Sequence, residues 1–159
     1  MRARSLVFAF FLPVLLGLTR IVSAQLPSAM GPVSATTIPA DRLIQTEQLI
    51  QLLKSEAGGP VLLQVGSRIF FAEAHIPGSK YAGPGSQPSG LQLLESMVAS
   101  LPKDKLIVLY CGCCPWGRCP NVGPAFVRLR DLGFTNVKVL YLANNFGDDW
   151  VKKGYPTEH

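Results

Sequence analysis

The sequence predicts an α/β fold, a mainly parallel central sheet flanked by helices on both faces. Two observations carry this. From Ile38 onward, short apolar segments of strand length alternate with segments whose apolar residues recur at helical spacing. Among the former, Leu106-Ile107-Val108-Leu109-Tyr110 is continuously apolar, the pattern of a parallel strand covered on both faces. A chain of 159 residues holds one such domain and is short for two.

The elements come in order along the chain. Leu43-Ile44 reads as a short strand, and Thr46 as the cap of a helix carrying Leu49, Leu52 and Leu53 at i, i+3 and i+4. Gly58-Gly59-Pro60 ends that helix before the strand Val61–Val65. A loop region is expected next, through His75-Ile76-Pro77-Gly78 and Gly83-Pro84-Gly85. Leu94, Met97, Val98 and Leu101 mark a second helix, stopped by Pro102 ahead of the central strand. Beyond a cysteine-rich loop, Ala125–Leu132 reads as a helix closed by Gly133. Val137–Leu142 then reads as a strand and Asp148–Lys153 as a short terminal helix. There is no internal repeat.

The first 24 residues are set apart. Arg2 and Arg4 precede an apolar run, Leu6–Leu18, broken only by Pro13, and Val22-Ser23-Ala24 supplies small residues before Gln25. This is the layout of a secretory signal peptide, 1–24. The apolar run reaches roughly 20 Å as a helix, against roughly 30 Å of membrane hydrocarbon. Cleavage and a periplasmic or secreted product are therefore expected ahead of an uncleaved tether, with no stable membrane insertion afterwards. Residues 25–37, rich in Pro, Ser, Ala and Gly, read as an extended linker, 38–156 as the domain and 157–159 as a tail. Without Arg2, Arg4 and Arg20 the basic residues fall from 15 to 12 against 10 acidic ones, a net charge of +2. No nucleic-acid partner is expected from so small an excess, which lacks any basic run.

All four cysteines lie in Cys111-Gly112-Cys113-Cys114-Pro115-Trp116-Gly117-Arg118-Cys119, between the end of the central strand and the start of a helix. Ligands bind at the carboxyl ends of strands in open α/β sheets. Backbone N–H groups at a helix start favour an anion, and a thiolate is one. Position makes Cys111 the candidate nucleophile. Gly112, Cys113, Cys114, Trp116, Gly117, Arg118 and Cys119 are the candidates for the surrounding anion-binding loop.

The chain from about Ile38 to Pro156 resembles a single rhodanese-like (sulfurtransferase) domain. Leu106–Cys111 is similar to that family's central strand and catalytic cysteine. His75-Ile76-Pro77-Gly78-Ser79 resembles its H-I-P-G-A signature, and Leu132–Val137 the turn after its active-site helix. Trp150 with Gly154-Tyr155-Pro156 resembles its closing W-x-x-x-G-x-P. Three departures stand beside these matches. Gln64 and Gly66 occupy the places of a frequent Asp and Arg. Asn144-Asn145 stand where Gly-Gly is usual, and the span from Cys111 to Gly133 is longer than the family's usual form. The resemblance implies a thiosulfate- or persulfide-type sulfurtransferase. In it Cys111 takes sulfane sulfur from a small donor as a persulfide and passes it to a thiol or other nucleophile, with no cofactor and no metal. Related phosphatases use Cys-x5-Arg, whereas Arg118 is the seventh residue after Cys111, so phosphoryl transfer is not expected.

A second reading is a non-catalytic module whose loop is stapled by disulfides, as a secreted chain permits, or binds a soft metal or a partner. Four cysteines allow three complete pairings, and adjacent Cys113 and Cys114 are poor partners for each other. The spacing Cys-x-Cys-Cys-x4-Cys is not that of ordinary zinc modules. His75 is expected to fix a turn, Trp116 to wall the pocket or cover the loop, and Trp150 to pack as core. Arg118 either acts directly or is solvated. Asp148-Asp149 suit a helix start, and terminal His159 is expected to be disordered. Nothing in the composition bears on the oligomer.

Overall fold

The computed structural model describes residues 34–55 and 58–159. The expected signal peptide, and the expected linker as far as residue 33, lie outside the described residues. Five strands, β1 Leu43–Ile44, β2 Val61–Gln64, β3 Lys80–Tyr81, β4 Ile107–Tyr110 and β5 Val137–Leu140, form one sheet in the order β1-β5-β4-β2-β3. Every ladder is parallel, with Leu63 opposite Leu109 and Leu109 opposite Val139 across the centre. The connections carry α1 Thr46–Lys54, α2 Arg68–Glu73, α3 Pro88–Val98 and α4 Val122–Asp131, and α5 Phe146–Asp149 comes after β5.

Two apolar layers result, one on each face. β4 feeds both: Ile107 and Leu109 pack with α3 and α4 through Leu94, Val98, Ala125 and Leu129. Val108 and Tyr110 pack with Leu49 and Ile50 of α1 and with Trp150. All four β4 residues are 0–1 % exposed. Burial of each such side chain favours folding by about 1.5–3 kcal/mol, so the continuously apolar run is a sound signal of the central strand.

Several boundaries differ from the sequence reading, each for a local reason. The first helix is capped by Gln45 rather than Thr46. Gln45 and Gln48 form a reciprocal capping box, which leaves Thr46 as the first helical residue. α2 lies in the expected loop, capped by Ser67, whose hydroxyl accepts the Ile69 N–H at 3.2 Å. Its apolar residues are contiguous and largely exposed, so no helical period betrays it. α4 begins three residues before Ala125 and takes Pro124 into its first turn, where proline is tolerated. The terminal helix is two pieces, α5 capped by the Asn145 side chain and a separate 3-10 turn over Val151–Lys153. At the other end, Ala35–Thr37 is a 3-10 turn rather than extended linker, with Ala35 wholly buried beside Ile38. Among the described residues no helix is long and apolar enough to cross a membrane.

The turn around His75 is anchored twice. The Tyr110 hydroxyl accepts the Ile76 N–H at 3.2 Å and pairs with the Ser79 hydroxyl at 2.7 Å. Burial pushes the Tyr110 pKa up to about 12, so it stays a neutral phenol. His75 exchanges two backbone hydrogen bonds of 2.9 Å with Glu158. Its ring stacks on Phe71 at 4.0 Å, and Nδ1–H donates to the Phe71 carbonyl at 2.9 Å. The tail is therefore held in place, and His159 with it, bonded to the Glu73 carbonyl.

Tyr110→Phe removes one oxygen and strands two buried groups, the Ile76 amide and the Ser79 hydroxyl. Urea unfolding is expected to show a loss of about 1–3 kcal/mol with unchanged secondary structure. A loss within error would place the anchor elsewhere.

Candidate active site: the cysteine loop

β4 delivers Cys111 to the carboxyl edge of the sheet with its side chain in the α3/α4 layer, 4 % exposed. Gly112 then turns the chain at φ +74°. A Cβ at this position would lie 2.6 Å from the Phe146 Cβ, so only glycine fits, and the Gly112 carbonyl accepts the Phe146 N–H at 2.9 Å. This turn brings the next cysteine back beside the first, with 3.0 Å between the sulfurs of Cys111 and Cys113. Cys114 Sγ is 3.4 Å from Cys113 Sγ and donates to the Arg118 carbonyl at 3.7 Å. All four cysteines are free thiols.

The remaining predicted loop residues separate by position. Trp116 packs tilted against Tyr141 at 5.2 Å and donates its backbone N–H to the Ala143 carbonyl, so it covers the loop. Gly117 and Arg118 are exposed in a short 3-10 turn. Cys119 is buried at the start of α4, where the N–H groups of Asn121 and Val122 act on its sulfur. The helix start expected to serve Cys111 thus faces Cys119 instead.

Three residues outside the predicted set hold the sulfur pair. Asn121, 6 % exposed, donates its amide to Cys111 Sγ at 3.4 Å and to Cys113 Sγ at 3.9 Å, while its Oδ1 accepts the Ser86 N–H at 3.1 Å. Its place just before α4 is visible in sequence, but the side chain does not cap the helix. Gln64, buried in β2, donates to the Cys111 carbonyl at 3.3 Å and accepts the Gly66 N–H at 3.1 Å. At Gly66 a Cβ would lie 2.7 Å from Cys111 Sγ. The two departures from the family pattern in this strand are therefore the two residues that seat Cys111.

Charge does not settle where position in sequence puts it. The contact with Cys113 keeps the proton on Cys111, and Cys119 and burial act in the same sense, so the Cys111 pKa is raised. The reverse holds for Cys113, half-buried, whose pKa the contacts with Cys111 and Cys119 draw far below the ordinary thiol range. At Cys114 burial, then the contact with Cys113, raises the pKa. At Cys119 the contact with Cys111 lowers it, but the contact with Cys113 and burial outweigh this and raise it. Negative charge is thus favoured on Cys113 rather than on Cys111 as expected, chiefly because the Cys111 thiol donates to the Cys113 sulfur, with burial of Cys111 acting in the same sense.

Access obeys the same division. A cleft of about 590 Å³ is lined by Gly112, Cys113, Cys114 and Phe146, with Glu73, Lys152 and His159 on its walls. Cys111 is not among its lining residues and instead borders a much smaller hollow of about 10 Å³. Among the described residues, no group of three or more His, Cys, Asp or Glu side chains is disposed to hold a metal ion.

Two outcomes test this arrangement. Iodoacetamide is expected to label Cys113 first. Its rate should hold from about pH 8 to about pH 6, a range over which an ordinary cysteine with a pKa of about 8.5 loses its thiolate. A rate that falls tenfold per pH unit would remove the thiolate from Cys113. Gly66→Ala overpacks the seat of Cys111, and a stability loss of about 1–3 kcal/mol is expected in denaturant unfolding, together with faster labelling of Cys111.

No protein-family model matches the chain, and no curated protein matches it. Solved structures do. The BH2092 protein from Bacillus halodurans is 25% identical, over 72% of this chain and 74% of its own, with a TM-score of 0.56. The rhodanese-like domain of the Alr3790 protein from Anabaena sp., solved by NMR, is 23% identical over 74% of this chain and 78% of its own, with a TM-score of 0.53. A variant of EanB, determined with a cysteine persulfide and ergothioneine, is 24% identical with a TM-score of 0.50. That match covers 73% of this chain but 27% of EanB.

Proposed function

Proceeding from a rhodanese-like fold whose central strand ends in four free thiols, we propose that the protein performs sulfurtransferase-type thiol chemistry in a secreted or periplasmic setting. Its cysteine loop takes sulfane sulfur from a small donor as a cysteine persulfide and gives it up to a thiol. The observation that carries this reading is the Cys111–Cys113 pair, two unbridged sulfurs 3.0 Å apart at the carboxyl edge of the sheet, with one of them on the wall of an open cleft. A persulfide needs a thiolate to form and a neighbouring group to discharge it, and the pair supplies both. Asn121 contributes an uncharged donor to the sulfurs, which stabilises a sulfur anion without neutralising it.

With thiosulfate as the donor, thiolate attack on the outer sulfur breaks the S–S bond and releases sulfite. Sulfite release in the presence of a thiol reductant is therefore the direct assay. The expected outcome is turnover that falls by roughly 10²-fold or more in the double variant Cys111→Ser/Cys113→Ser. Sulfite release from thiosulfate and consumption of sulfane sulfur from a polysulfide, both no faster than in the protein-free control, would overturn the reading.

A further inference from the structure

Resting on that function, we propose that the loop is a self-resolving dithiol. Cys113 receives the sulfane sulfur from the cleft, and Cys111 then expels it as hydrosulfide by closing a Cys111–Cys113 disulfide. The second partner of the protein is on this account a dithiol reductant rather than a sulfur-accepting metabolite.

Space assigns the two roles. Cys113 lines the large cleft, so a donor reaches its sulfur and an added sulfur atom has room to extend into the opening. Cys111 is boxed in. A Cβ at Gly66 would already lie 2.7 Å from its sulfur, and, against about 590 Å³ for the cleft, the hollow that Cys111 borders is about 10 Å³. That is at the floor of the roughly 10–15 Å³ that a single water requires, and a sulfur atom is larger than a water oxygen. An added sulfur atom therefore has far less room on Cys111 than on Cys113. The Cys111 thiol itself stands 3.0 Å from Cys113 Sγ, within the roughly 3–3.5 Å of a near-attack contact.

The alternatives for resolution are worse placed. Cys114 is adjacent in sequence to Cys113, so a disulfide between them would close across a single peptide bond, and its thiol hydrogen is directed at the Arg118 carbonyl. Cys119 is buried and interacts with Cys111 and with the N–H groups at the start of α4. Only Cys111 shares with Cys113 both the turn at Gly112 and the bridging amide of Asn121.

The chemistry balances without an external oxidant. In the first step the Cys113 thiolate attacks the outer sulfur of a donor such as thiosulfate, the donor S–S bond breaks, and sulfite leaves with the electron pair. In the second, Cys111 sulfur attacks the inner sulfur of the Cys113 persulfide. The S–S bond to the outer sulfur breaks, and that sulfur leaves as hydrosulfide carrying the proton that Cys111 gives up. The sulfane sulfur is reduced by two electrons, and the two cysteine sulfurs are oxidised together to the disulfide. A dithiol then restores both thiols by exchange.

The test uses the protein reduced, freed of reductant under nitrogen and given less than one equivalent of thiosulfate. Sulfite and hydrosulfide are measured, and the thiols are alkylated for intact mass and peptide mapping. The expected wild-type result is one hydrosulfide per sulfite, no retained sulfur, and a Cys111–Cys113 disulfide in the map. Cys111→Ser is expected to keep the added sulfur on Cys113 and to lose hydrosulfide yield by more than ~10-fold. Three results would overturn the proposal. Wild-type protein that releases sulfite but holds a persulfide with Cys111 still alkylatable would remove the resolving step and leave sulfur uptake intact. A persulfide or disulfide mapped to any other cysteine pair would reassign the roles. Absence of sulfite in every sample, with no sulfane sulfur taken from a polysulfide given in its place, would bring down the functional reading itself. Wild-type mapping alone decides between the first two, so the result stands even where a variant folds poorly.

Discussion

Double burial of β4 is the constraint on which the site depends. Its four residues alternate between two apolar layers and have no solvent face to give up, so the strand has one register and one exit. Tyr110, the last of them, sends its hydroxyl into the His75 turn and fixes that exit laterally. Cys111 emerges from the sheet already desolvated, at the edge where a parallel sheet leaves its carbonyl ends open. The surroundings of this thiol are fixed there by a packing requirement, before any charged residue is involved.

Beyond β4, a single backbone turn produces a division of labour. A positive φ at Gly112 folds Cys113 back against Cys111, so two sulfurs of identical intrinsic acidity meet in unequal surroundings. The buried one keeps its proton and donates it, and the half-exposed one holds the charge beside the cleft. The leading influences on both sulfurs are the other cysteines and burial, not a lysine or arginine. Arg118, the charge nearest in sequence, is turned to solvent, and its place is taken by Asn121, a neutral donor that reaches both sulfurs. A neutral partner leaves the sulfur anion more nucleophilic than a cation would.

The fold was legible in sequence because its signals are additive along the chain. The apolar run of β4, the helical spacing in α1 and α3 and the glycine-proline stops all report local preferences that tertiary packing reinforces. α2, whose apolar residues are contiguous and largely exposed, and β3, whose two residues Lys80 and Tyr81 show no apolar run, were not legible. The site was legible as a loop but not as a geometry. Cys111 stood out by its position, while Cys113 became the charged sulfur only through a contact made by a turn two residues long. Asn121, Gln64 and Gly66 carried no chemical signature at all. Gln64 and Gly66 were visible only as departures from a pattern, and their meaning lay in the position of a sulfur 47 residues from Gln64. Such long-range steric facts are not written in local sequence.

Gly66 also bears on how far this loop can be altered. With no side chain there, the volume that an arginine stem would fill is given to the Cys111 sulfur, so the change in the strand and the change in the loop are two halves of one exchange. Neither half transplants alone. A side chain at residue 66 would meet the Cys111 sulfur, so the strand end and the loop can be redesigned only together.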